Sequence, residues 1–136
     1  MFDVFNISFS GMIAEKIRIS VISNNIANIN TTGPKEPYRR KLVVFQSVYE
    51  ENLRGNNLPS LKGVKVVKVI EDLSPFKKVY DPSHPDVDKE GYVSYPNIDI
   101  SQEMVDLISA TRSYEANLAC FYAVKQLLLK TLEIGV

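Results

Sequence analysis

Over the first 29 residues, apolar side chains return every three or four positions, which predicts a helix from about residue 2 to 29. They fall on two sides of a helical wheel. Phe5, Phe9, Met12, Ile19 and Ile26 form one stripe, and Ile7, Ala14, Ile17 and Val21 form a weaker one roughly opposite. A helix apolar on two sides needs more than one neighbour. The run Asn28-Ile29-Asn30-Thr31-Thr32-Gly33-Pro34 then gathers Asn, Gly and Pro and stops the helix.

The other end of the chain has the same period over a longer stretch, predicting a helix over 100–134. Asp99 is its expected N-cap, with Gln102 placed for a capping box, and Gly135 supplies the stop. Met104, Leu107, Thr111, Tyr114, Leu118, Phe121, Lys125, Leu128 and Leu132 follow alternating spacings of three and four, a heptad seam interrupted at Thr111 and Lys125. At 1.5 Å per residue such a helix is about 50 Å long. A small middle region cannot cover that length, so the first helix is the expected partner. Pairing still leaves Val105, Ile108, Tyr122 and Leu129 uncovered, and such a surface marks an interaction site.

Between the helices the pattern changes. All 7 prolines lie from Pro34 to Pro96, which argues against long helices there. Lys41-Leu42-Val43-Val44-Phe45 and the lysine-interspersed valines of 63–70 read as strands, and Gly91-Tyr92-Val93-Ser94-Tyr95 as a short one closed by Pro96. The stretch 50–61 reads as an exposed loop. The expected fold class is therefore α+β, with N- and C-terminal helices paired as a coiled coil and a small, irregular, β-rich middle. The chain divides into an assembly helix with its turn (1–33), the middle domain (34–98) and a coiled-coil helix (99–136).

Composition narrows the function. Lys+Arg and Asp+Glu balance at 16 each. Zero net charge argues against non-specific nucleic-acid binding and leaves little repulsion between copies. One cysteine, Cys120, excludes an intramolecular disulfide and reads as a small buried hydrophobe. No run of about 18 apolar residues offers a membrane span. The N-terminus carries Asp3 and interrupted apolar residues rather than a signal peptide, so work outside the cytoplasm requires another export route.

Candidate chemistry is sparse. Asp86, Asp88, Glu90 and Gly91 match the first half of a calcium loop, but Asn97 stands where a bidentate Glu is needed and Pro82 and Pro85 bar an entering helix. A hydrogen-bonded, proline-stiffened loop is the better reading. His84, the only histidine, has no nucleophile motif beside it and is expected to hold a turn. Tyr38-Arg39-Arg40-Lys41 reads as a salt-bridging patch between subunits rather than a phosphate grip. No catalytic, cofactor-binding or metal-ligating residue is assigned, no cofactor is expected, and the chain is not read as an enzyme.

Specific segments carry a resemblance. Ser10-Gly11-Met12 followed by Ser23-Asn24-Asn25-Ile26-Ala27-Asn28-Ile29-Asn30-Thr31-Thr32-Gly33 looks like the signature of bacterial flagellar rod proteins, with Ser23 where Ala is commoner. The segment Ser74-Pro75-Phe76-Lys77-Lys78-Val79-Tyr80-Asp81-Pro82-Ser83-His84-Pro85-Asp86 is similar to basal-body rod proteins of the proximal-rod FlgC type. So are Met104-Val105-Asp106-Leu107-Ile108, Arg112-Ser113-Tyr114-Glu115-Ala116-Asn117 and the closing 128–135. The resemblance spans nearly the whole chain. It implies a structural subunit passed unfolded through the flagellar type III export apparatus without a cleaved signal peptide. In the periplasm it would assemble with itself and other rod proteins, its terminal helices forming the hollow, torque-bearing drive shaft. The expected assembly residues are Phe5, Phe9, Asn24, Asn25, Ile26, Asn28, Met104, Leu107, Tyr114, Leu118, Phe121, Leu128 and Leu132, the asparagine amides capping the first helix and bonding to neighbours. From the residues alone, a coiled-coil adaptor or non-flagellar secretion-system subunit, and a small hydrolase built on His84, stay open.

Overall fold

A computed structural model describes residues 2–33, 36–50 and 60–134. Two helices, α1 (Phe2–Ala27) and α2 (Ile100–Ile134), flank four strands: β1 (Lys41–Glu50), β2 (Ser60–Glu71), β3 (Lys77–Tyr80) and β4 (Tyr92–Tyr95). The strands form two separate antiparallel pairs, β1–β2 and β3–β4. The class is α+β, as the patterning indicates.

The helices start and stop where local chemistry dictates. Asp99 Oδ1 accepts the backbone N–H of Ser101 at 2.8 Å and caps α2. The reciprocal half of the capping box does not form, because Gln102 Nε2 turns forward to Asp106 Oδ1 at 3.2 Å. At the end of α1, the Asn24 carbonyl accepts two hydrogen bonds from Asn28, from its backbone N–H at 3.1 Å and from Nδ2 at 2.8 Å, which close the last turn. Gly135 and Pro34 lie outside the described residues.

The hairpin is longer than its sequence suggests. β1 runs to Glu50 and β2 begins at Ser60, so both ends of the expected loop are strand; residues 51–59 lie outside the described residues. The register slips between Val44 and Phe45 and again between Val48 and Tyr49. Each slip leaves one β2 residue unmatched and increases the local twist. Gly63, at φ 106°, occupies the second irregularity, where a side chain would be strained and would overlap the Ser10 hydroxyl of α1. β3 escapes a sequence reading because all four of its residues are exposed and give no alternation.

α1 and α2 pack antiparallel. Phe5 meets Phe121, Gly11 meets Asn117 and Asn25 meets Glu103, so numbers rise along one helix as they fall along the other. The helices have 26 and 35 residues, about 39 and 52 Å. One end of the pair is level, near Ala27 and Ile100. At the other, α2 projects beyond α1 from about residue 125, roughly 15 Å of helix. Among the described residues the buried apolar core is thin: Met12, Ala14, Ile22, Val93, Ile98 and Ala110. Polar contacts therefore share the work of fixing the elements together.

Candidate assembly interface

Asn25 and Glu103 lie at the junction of the helices and the hairpin, 1% and 0% exposed. Asn25 Nδ2 donates to the Lys41 carbonyl at 2.9 Å and to Glu103 Oε2 at 3.0 Å. Its Oδ1 accepts the Lys41 N–H at 2.9 Å and the Tyr38 hydroxyl at 3.0 Å. Both donors and both lone pairs are thus used, the full capacity of the group. Instead of capping the helix end, the Asn25 amide closes all of these bonds within the chain, to β1, α2 and Tyr38. Burial, then the nearby carboxylates of Glu103 and Glu71, hold the Tyr38 hydroxyl above its ordinary pKa of 10.0, so it remains a donor.

The other Glu103 oxygen takes a hydrogen-bonded ion pair from Arg40 Nε. Arg40 also reaches Asp106 Oδ2 at 3.1 Å and Asp72 Oδ2 at 3.8 Å. Hydrogen bonds from the Ser74 hydroxyl and N–H, with Arg40 beside it, hold Asp72 below the usual carboxylate range. One guanidinium, on the residue just before β1, thus ties the start of that strand to α2 and to the segment after β2. A buried carboxylate is tolerable only when paired and hydrogen-bonded, which Arg40 and Asn25 together achieve. Within the basic patch, Arg40 pairs inside the chain, and Arg39 lies 4.1 Å over the Phe76 ring.

Ser10 and Gly11 join α1 to both its neighbours. Ser10 Oγ accepts the Val64 N–H at 3.1 Å and donates to the Ile7 carbonyl at 2.7 Å, fixing β2 against α1. Gly11 faces Asn117, and a Cβ there would sit 2.8 Å from Asn117 Nδ2. The small residue lets α2 approach. The turn after α1 is held to the acidic loop by Thr32 Oγ1, which donates to Asp86 Oδ2 at 2.7 Å. In that loop His84 Nδ1 accepts the Asp86 N–H at 3.1 Å, and its ring lies 6.3 Å from that of Tyr95. Asp88 Oδ1 accepts the N–H groups of Glu90 and Tyr92, both at 2.9 Å. These side chains brace the loop.

The expected assembly residues divide. Phe5 and Phe121 meet edge-on at 4.4 Å. Leu107, Tyr114, Leu118 and Leu128 are half-buried, as is Ile26. Asn28 Nδ2 bonds Asn24 Oδ1 at 2.8 Å, so those two amides serve the helix end. Phe9, Met104 and Leu132 are exposed. The seam itself uses Glu103, Ala110, Asn117 and Val124 as well; Glu103, Ala110 and Val124 are each more buried than the neighbouring Met104, Thr111 and Lys125. The two apparent interruptions of the heptad arise because the buried line passes one residue earlier at those points. Glu103 and Ala110 went unread because one is charged and the other small.

Away from α1, α2 presents Val105, Ile108, Tyr122 and Leu129, all more than half exposed. Ile108, Tyr122 and Leu129 repeat on multiples of seven and share one side of the helix. The projecting end adds Leu127, Leu132 and Ile134. Among the described residues no helix is long and apolar enough to cross a membrane.

Comparison with known proteins identifies the family. Residues 5–35 match the family described as flagella basal body rod protein. Residues 89–134 match the C-terminal family of flagellar basal body rod FlgEFG proteins. The chain is similar to the flagellar basal-body rod protein FlgC of Bacillus subtilis, 45% identical over 98% of this chain and 97% of that protein. It is likewise similar to FlgC of Escherichia coli O157:H7, 42% identical over 99% and 98%. FlgC of Salmonella typhimurium is also 42% identical, over 99% and 98%. These relatives do not favour the adaptor reading.

Proposed function

This chain belongs to the FlgC family of flagellar basal-body rod proteins and is a structural subunit of that rod, and from this premise we propose how it builds a shaft. It polymerises with itself and other rod proteins through its terminal helices, which form the hollow, torque-bearing tube. The hairpin and the β3–β4 loop brace each helix pair from outside. The observation that carries this reading is the uncovered apolar stripe of α2 together with its projecting end. Those side chains gain burial only from other chains. Laterally packed helices resist bending and twisting because close-packed side chains deform little.

Passage through a narrow export channel fits the same structure. The buried apolar core is small, and the single cysteine, Cys120, is free and lies exposed on α2 rather than buried as its apolar surroundings in sequence suggest. Without a disulfide and with few buried apolar side chains, unfolding for transit demands little work. The three-part division into assembly helix, β-rich middle and C-terminal helix then has a mechanical sense, the ends building the tube and the middle bracing it.

Leu129→Asp tests the proposal. The side chain is 51% exposed, so the free subunit should change in stability by no more than about 0.5 kcal/mol. In the assembled rod the new charge would be buried against a neighbour. The variant should be exported and folded but absent from purified basal bodies, and cells should not swim. Normal rods containing Leu129→Asp would overturn the role given to this face.

A further inference from the structure

A cavity of about 460 Å³ opens between α1 and the β1–β2 hairpin, lined by Ile7, Ala14, Phe45, Val64, Glu15 and Asn117 among others. The lining is mostly apolar. Yet Glu15 Oε2 is buried and accepts no hydrogen bond. Arg18 Nη1 comes only to 3.7 Å, beyond hydrogen-bonding distance. Asn117 Nδ2 is committed to the Ser113 carbonyl at 3.0 Å and is not turned to Glu15. The free chain therefore holds a carboxylate oxygen out of water with nothing donating to it, an arrangement that a donor from outside would relieve.

An apolar cavity with one unsatisfied carboxylate fits a basic side chain. The hydrocarbon stem would lie along Ile7 and Phe45 and the charged head would reach Glu15. The chain itself carries such groups. Lys125 and Lys130 lie on the projecting end of α2, exposed and paired with no carboxylate among the described residues. They are flanked by Leu127 and Leu129, which are also exposed.

We propose that this cavity is a socket for the projecting end of α2 from a second copy of the chain, with Lys125 or Lys130 seated on Glu15. The inference rests on the rod-subunit reading and names the contact by which one copy holds the next. Glu15 Oε2 then accepts no hydrogen bond in the free subunit, where it has only the long ion pair with Arg18, and takes a central role in the assembly.

The test uses assembled rods in cells. A photo-crosslinking residue placed at Leu61, exposed on the rim of the cavity, should capture the 123–134 segment of another copy. Glu15→Lys should lower incorporation into rods by about tenfold or more, because like charges would meet in a desolvated contact. Combining it with Lys125→Glu or with Lys130→Glu should restore most of the loss in one of the two pairings. Glu15→Gln keeps the shape, so it separates docking from folding: the free subunit should melt no lower than wild type while incorporation falls. Absence of the wild-type chain from purified rods would overturn the rod reading and the socket with it. With wild-type chain present, crosslinks that reach a different protein or no other chain would overturn the socket alone. So would failure of both charge swaps, or normal incorporation of Glu15→Gln.

Discussion

Asn25 and Glu103 meet across 78 residues of chain, the amide Nδ2 of one donating to Oε2 of the other at 3.0 Å. That bond closes the junction at which α1, β1 and α2 converge. Asn25 also holds both the N–H and the carbonyl of Lys41, so a single side chain stands in for one more strand at the edge of β1.

Replacing Asn25 with Ala should lower the stability of the free subunit by about 2–4 kcal/mol, since it strands buried backbone groups and a carboxylate oxygen. Asn25→Asp should be worse at neutral pH, because it loses both donors and sets a second carboxylate against Glu103. Urea unfolding of the purified chain reads both. A change below about 0.5 kcal/mol for Asn25→Ala would contradict the hydrogen-bond arrangement.

Arg40 and Glu103 should behave as a coupled pair. Arg40→Leu alone leaves a buried charge without its counter-ion and should cost about 3–5 kcal/mol. Arg40→Leu combined with Glu103→Leu should cost less than Arg40→Leu alone. A double-mutant cycle on unfolding free energies measures the coupling, and simple additivity would show that the ion pair contributes nothing.

Gly11→Ala sets two opposing effects against each other. Alanine favours a helix by about 1 kcal/mol over glycine, but here its Cβ lies 2.8 Å from Asn117 Nδ2. Moving Asn117 breaks its bond to the Ser113 carbonyl. The single variant should therefore be neutral or destabilised. In an Asn117→Ala background the same Gly11→Ala change should become stabilising. The reversal of sign between the two backgrounds is the readout.

Acid titration should separate two kinds of carboxyl. Burial pushes Glu15 above its ordinary 4.5, only partly offset by Arg18. Its folded form binds a proton more tightly than the unfolded chain does, so ionisation of Glu15 works against folding as pH rises through the raised value. Glu15→Gln should therefore exceed wild type in stability at neutral pH, and the difference should shrink as pH falls toward 4.5. Asp81 and Asp88 act oppositely. The Ser83 hydroxyl and N–H bond to Asp81, and backbone N–H groups led by that of Tyr92 bond to Asp88, holding both below the usual 3.8. Their stabilisation is present above 3.8 and is lost as pH falls through the lower folded values. That acid loss should be the same in Glu15→Gln. Melting temperatures of both proteins across pH give the comparison.

Much of the architecture is visible in the sequence because helices announce themselves over many turns. Both were bounded to within two residues by period, cap and turn chemistry. Strands were legible only where β-branched residues concentrate. Gln46–Glu50 joins β1 through pairing with β2, and Lys77–Tyr80 becomes a strand because β4 lies beside it. Neither cause is local. The junction was illegible for the same reason. Arg40 and Asn25 read as outward-facing groups in a basic run and a signature turn, and only tertiary approach shows them facing Glu103. Gly11 and Asn117 likewise matter through a contact between segments that are distant in sequence. The uncovered stripe at Ile108, Tyr122 and Leu129 was legible, since it follows from helical period alone.

The unequal lengths of α1 and α2 give each subunit a direction. At one end the two helices finish level, at Ala27 and Ile100; at the other a single helix runs on to Ile134. A copy placed above therefore meets a different surface from a copy placed below. Contacts between unlike surfaces build chains that can extend rather than pairs that close. In the proposed shaft, the extra turns of α2 would act as a built-in arrow, fixing which way up every subunit must enter a growing stack.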